Sequence, residues 1–163
     1  MQQHNSNQSD RFEFQITMLQ KGAEELEKKI ANFTTSLLQI KTAAITIWTA
    51  LIGWSFSVKV YQIIFAGYIV IISFWFLEAV YWRVQVSYIR KASILAEYLN
   101  DLKALDNTFR DKLVPKGLVY PSVSLEGESK VSFLRALKAP SIAIFYGFLL
   151  ISTSVILSIS IAI

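Results

Sequence analysis

Two stretches of the chain carry no charged residue: residues 42–58 (TAAITIWTALIGWSFSV) and 141–163, runs of 17 and 23 residues. A third, residues 62–82, carries one charge, Glu78. At about 1.5 Å per residue even the shortest run reaches roughly 25 Å, enough with flanking residues to cross a hydrocarbon core of about 30 Å. A chain of 163 residues has too little volume to hide three such runs in a soluble core. The 53% of residues that are hydrophobic are gathered into these blocks, with polar and charged sequence between them. The chain therefore reads as an all-α membrane protein with three transmembrane helices, the third opened by Pro140, where a missing N–H costs nothing. Residues 1–40 hold no long apolar run, so the first span is expected to act as an uncleaved signal-anchor.

Lysine and arginine set the expected orientation. The segment before the first span holds Arg11, Lys21, Lys28, Lys29 and Lys41. The segment between the second and third spans holds Arg83, Arg90, Lys91, Lys103, Arg110, Lys112, Lys116, Lys130, Arg135 and Lys138. The turn between spans one and two holds only Lys59. The positive-inside rule places both long segments in the cytoplasm and the C-terminus outside. The expected organisation is a polar disordered leader (1–9), a cytoplasmic coiled-coil helix (10–41), the first span (42–58), an external turn (59–61) and the second span (62–82). A cytoplasmic helix (83–113), a loop with an amphipathic basic helix (114–139) and the third span (140–163) follow.

Phe12, Ile16, Leu19, Ala23, Leu26, Ile30, Phe33, Leu37 and Ile40 are spaced 4, 3, 4, 3 without interruption. That is a heptad seam, with Glu24, Glu27, Lys28 and Lys29 outside it. Asp10 is the expected N-cap, and the helix should run unbroken into the first span. A second seam, Leu95, Tyr98, Leu102, Leu105 and Phe109, predicts that span two also continues as helix, to about Leu113. The two seams either zip together within one subunit or assemble several, and Leu38, Ile89 and Ile94 widen the faces enough for both. Pro115, Gly117, Pro121 and Gly127 end the helical pattern, with a short extended stretch at 118–120. In residues 128–139 (ESKVSFLRALKA), Val131, Phe133, Leu134 and Leu137 oppose Lys130, Arg135 and Lys138. Such a helix suits an anionic membrane surface or a basic pocket.

Opposite the first seam runs a polar stripe: Lys28, Asn32, Thr35, Gln39, Thr42, Thr46, Thr49, Gly53 and Ser57. It passes from the leader helix into the span without changing face. Within a bilayer, small hydroxyl residues and glycine let helices pack closely, and threonine satisfies itself on its own backbone. The alternative is a water-filled path between identical subunits, lined by Thr42, Thr46, Thr49, Gly53 and Ser57 and gated by rings such as Ile45 or Leu51. Gly147, Ser154 and Ser158 form a weaker stripe on span three. Glu78, one turn inside Trp82, is costly in lipid without a partner, and Lys41 at the facing end of span one is the expected one. The pair is either structural or part of a gate.

With no cysteine, disulfides, thiolate metal sites and cysteine nucleophiles are excluded. His4, the one histidine, lies in the polar leader, where a solvated side chain is expected. No phosphate loop, zinc signature or nucleophile–base pair is present, so no enzymatic activity, metal or cofactor is expected.

The run Phe74-Trp75-Phe76-Leu77-Glu78-Ala79-Val80-Tyr81-Trp82-Arg83, followed by Tyr88 and Arg90, resembles the end of the second span in small bacterial membrane effectors of anti-phage systems. Lys41-Thr42 and Ile47-Trp48 are similar to the opening of their first span. Glu78 stands where the pattern often has Asp, and Gln85 where it has an acid. The Hailong-type effectors are the nearest resemblance, over about residues 10–110. It implies a homo-oligomeric channel, of the order of a tetramer, in the bacterial inner membrane. A nucleotide signal made by a partner nucleotidyltransferase would control it, and opening would depolarise the infected cell. The implied ligand is an oligodeoxyadenylate, for which Arg90, Lys91, Arg110, Lys112, Lys116, Lys130, Arg135 and Lys138 are the candidate contacts, since phosphates need clustered cations. The same residues serve equally as topology signals. A non-conducting adaptor that presents its coiled coil to a partner, and a holin-like lysis protein, are the rival expectations.

Overall fold

The structure, a computed structural model, describes residues 2–115, 117–118 and 131–162. All regular structure among these residues is helical: α1 (Gln2–Val58), α2 (Ile63–Asn100), α3 (Leu102–Asp111), α4 (Phe133–Leu137) and α5 (Pro140–Ala162). Three of them, α1, α2 and α5, are long and apolar enough to cross a membrane. The chain is thus a multi-pass helical membrane protein whose first two spans extend into further helix.

Helix α1 begins at Gln2, ahead of Asp10. The expected disordered leader is therefore helical, and Asp10 lies within the helix rather than capping it. The reason is local. Residues 2–9 contain neither Gly nor Pro, so a helix already anchored by its seam propagates backwards at small cost per residue. The side chains of residues 2–8, His4 among them, lie outside the described residues.

The turn after α1 is tight. Lys59 adopts a left-handed conformation (φ 56°), and the Val60 N–H donates to the Ser55 carbonyl at 3.1 Å. The buried Ser55 hydroxyl donates back to the Val60 carbonyl at 3.1 Å. Orphan carbonyls at the helix end are thereby satisfied without water.

Helix α2 stops at Asn100, short of the expected Leu113. Asp101 takes an extended conformation, and its carboxylate accepts from the Lys103 and Ala104 N–H groups as the N-cap of α3. An aspartate that can cap a new helix competes with continuation of the old one. The break rotates the second seam out of line. Leu95 and Tyr98 stay inside, while Leu102 and Phe109 are 75% and 59% exposed. Lys112, also left-handed (φ 49°), ends α3 with its N–H on the Thr108 carbonyl.

The chain divides into two compact units. One comprises Met1–Asn32 and Gln85–Lys130. Its core is the α1 seam, Phe12, Leu19 and Leu26, packed on Leu95 of α2 and Val114, with Ile16, Ala23, Tyr88 and Leu118 around them. The Phe12 and Phe109 rings meet edge to face at 5.7 Å, and the Tyr98 and Thr108 hydroxyls share a 2.7 Å hydrogen bond. Within the chain, the first seam therefore packs on α2 at Tyr88 and Leu95, and Phe109 of α3 still reaches it at Phe12.

The other unit comprises Phe33–Val84 and Val131–Ile163. Its core gathers Ala44, Ile71, Ile142, Tyr146 and Leu149 from α1, α2 and α5, with Trp48, Trp75 and Trp82 against them. Helix α4 is a single turn. Phe133 stacks on Phe76 of α2 at 5.6 Å, and the Leu137 carbonyl accepts from Trp75 Nε1 at 3.2 Å. Leu134, Arg135 and Lys138 point outward. The expected extended stretch beyond Leu118 and the expected start of this helix at Glu128 lie outside the described residues.

Candidate functional site

Two features carry chemistry in the membrane-spanning unit. The first is the polar stripe of α1. Thr42, Thr46, Thr49, Gly53 and Ser57 are all exposed, and so are Lys28, Asn32, Thr35 and Gln39 before them. A Cβ built on Gly53 meets nothing within 4 Å. The seam residues on the opposite side are all buried or half-buried. The 3.5-residue spacing thus separates a packed face from an open one along the helix. Two of the threonines are satisfied locally: Thr42 Oγ1 donates to the Leu38 carbonyl at 3.0 Å, and Thr46 Oγ1 to the Thr42 carbonyl at 2.8 Å. Ile45 is exposed and Leu51 half-buried.

The second is an ion pair. Lys41 Nζ lies 3.2 Å from Glu78 Oε1, joining α1 to α2. The same ammonium donates to the Ser141 carbonyl at 3.2 Å and sits 5.4 Å from the centre of the Phe145 ring, which ties in the start of α5. Glu78 is only 2% exposed. Its second oxygen, Oε2, has no hydrogen-bond partner, and neither does the buried Tyr146 hydroxyl. A carboxylate in apolar surroundings is held by such a counter-ion, and one charge at this junction reaches all three membrane helices.

The sequence pattern supplied Lys41 and Glu78 but not the contributions of α5. Tyr146 is the only tyrosine in the third span, a usable signal because a buried tyrosine needs something polar at its tip. The polar residues of α5 divide between two faces. Gly147 is half-buried and Ser154 and Ser158 are exposed, whereas Thr153 and Ser160 are buried. Trp48 Nε1 of α1 donates to Thr153 Oγ1 at 2.8 Å, and Thr153 Oγ1 donates to the Leu149 carbonyl at 2.7 Å. Gly67 of α2 underlies this contact: a Cβ there would stand 3.5 Å from Trp48 and 3.8 Å from Thr153. Tyr68 and Ser154 share a further 2.8 Å hydrogen bond.

The cationic candidates are divided between the two units. Arg90, Lys91, Arg110 and Lys112 belong to the first unit, Arg135 and Lys138 to the second, and Lys116 and Lys130 lie outside the described residues. Lys91 lies 5.8 Å from the Tyr88 ring centre, and Lys29 lies 5.4 Å from the same ring. Arg110 bonds Asp111 at 3.1 Å and Asn107 at 2.9 Å. Lys112, Arg135 and Lys138 are exposed. Among the described residues, no group of His, Cys, Asp and Glu side chains is arranged to hold a metal ion. No protein-family model, curated protein or solved structure matches the chain.

Proposed function

We propose that the protein is a homo-oligomeric membrane channel, a non-enzymatic effector of anti-phage defence in the bacterial inner membrane. A nucleotide ligand, an oligodeoxyadenylate made by a partner nucleotidyltransferase, acts on its cytoplasmic basic segments. Channel opening depolarises the membrane and arrests growth. The observation that carries the reading is the polar face of α1, which stays open from Lys28 to Ser57 while the opposite face is packed. In lipid, an uncovered row of threonines and glycine gains nothing; around a shared aqueous axis it becomes the wall of a path. Identical copies of α1 would supply that wall, with Thr42, Thr46, Thr49, Gly53 and Ser57 lining it. The Lys41–Glu78 pair, where three helices meet, is the element whose rearrangement would gate it.

Reconstitution of the full chain in liposomes tests this. Ion flux is expected in one ligand condition and its suppression in the other, with Thr46→Leu and Thr49→Leu each reducing conductance. A bilayer that stays tight with and without the oligonucleotide contradicts the proposal.

One observation favours the adaptor instead. Thr42 and Thr46 already donate to their own helix and need no water. An adaptor tolerates leucine at Thr46 and Thr49 and loses function when a charge is placed at Leu26 or Ile30. The channel is sensitive to both sets.

A further inference from the structure

At the start of α5 the second unit opens into a cavity of about 460 Å³, lined by Lys41, Pro140, Ser141, Ile144, Phe145 and Phe148. Its chemistry is divided. One end holds the Lys41 ammonium and the first turn of a 23-residue helix. The remainder is aliphatic and aromatic, and Ile144 and Phe148 are 73% and 69% exposed. Lys41 is the only ionisable residue in the lining. An ammonium has three N–H donors. Glu78 Oε1 and the Ser141 carbonyl take two of them, and the Lys41 side chain remains 27% exposed.

We infer that this cavity binds one anionic phospholipid, its phosphate at the third N–H of Lys41 and an acyl chain along Ile144 and Phe148. The split between a polar mouth, with one Lys41 N–H still open, and an apolar wall on a membrane helix matches the split within a lipid. A free phosphate ester would leave the apolar wall uncovered. Charge decides the headgroup. From Val131 to Ile163 the sequence contains no acidic residue, and the exposed Arg135 and Lys138 directly precede the cavity in the chain. Glu78 already balances Lys41, so these two cations are the surplus that favours a net negative headgroup over a zwitterionic one. The inference needs the membrane location and is independent of conduction.

Native mass spectrometry of the detergent-released full chain, incubated with phosphatidylglycerol and phosphatidylcholine of identical acyl chains, tests it. Retention of the anionic lipid is expected to exceed that of the neutral one by about fivefold for each surplus cation engaged. Ser141→Glu puts an acid at the cavity mouth, a position where the helix tolerates it, and should abolish the preference with helix content unchanged. Arg135→Gln/Lys138→Gln changes only exposed side chains and should lower it. Equal retention of the two lipids by the unaltered chain overturns the inference. So does a preference that survives both variants, or displacement of the lipid by glycerol 3-phosphate at comparable concentration.

Discussion

The two units of this chain are built on opposite rules. In the first, the core is apolar: Phe12, Leu19, Leu26 and Leu95 are buried and most of the charges around them are exposed, although Phe14, Leu102 and Leu113 also face outward. The second also has an apolar core, but its highly exposed side chains include Ile69, Ile144, Phe148 and Ile151, while Ser55, Glu78, Thr153 and Ser160 are buried. The hydrophobic effect explains the first arrangement, since water is the solvent that drives it. It cannot explain the second, because lipid is as apolar as leucine; there, close packing and hydrogen bonds hold helices together. The Trp48–Thr153 bond over Gly67 and the Lys41–Glu78–Ser141 junction are those contacts.

The largest expected effect comes from breaking the buried pair. Lys41→Met leaves the Glu78 carboxylate uncompensated and should cost about 3–5 kcal/mol. Thermal unfolding in detergent would read this, and the double variant Lys41→Met/Glu78→Leu should recover most of the loss. Next comes a direct contrast between the units. Ile69→Lys and Leu102→Lys both alter highly exposed positions. The first should impair membrane insertion by about 3 kcal/mol, whereas the second should change stability by no more than about 0.5 kcal/mol. An insertion assay on both variants, with equal outcomes, would erase the distinction between the two surfaces. Leu26→Ala attacks the first unit by its own rule. A loss of about 2 kcal/mol is expected, at the low end because Leu26 already borders an open groove. Urea unfolding followed by helix content measures it. The smallest effect belongs to Trp48→Phe, which removes one interhelical hydrogen bond in the membrane unit and should cost about 0.6 kcal/mol in the same thermal assay.

Legibility in the sequence followed the same division. Every position of the α1 seam and of its opposite polar stripe was readable, because a helix with two unlike faces fixes its own rotation. The Lys41–Glu78 pair was readable because one charge within a span demands another nearby. Helix α5 was not, since it is apolar on all sides and spacing alone cannot say whether Thr153 or Ser154 faces inward. The break at Asp101 was missed because the apolar spacing runs straight across it from Tyr98 to Leu102. The competing signal, an aspartate able to cap the next turn, was present in the sequence. The helical leader was not legible because its polar composition resembles that of a disordered tail, although residues 2–9 contain no Gly or Pro to break a helix.

The absence of native cysteine makes the central claim directly accessible. Single cysteines at Thr46, Thr49 and Ile151 can be exposed, in the intact membrane, to a charged thiol reagent that does not enter lipid. If the open face of α1 lines shared solvent, Thr46→Cys and Thr49→Cys react in at least one ligand condition while Ile151→Cys does not. If the two α1 cysteines remain as unreactive as the one at position 151 in every condition, that face meets lipid or a dry helix contact, and there is no aqueous path.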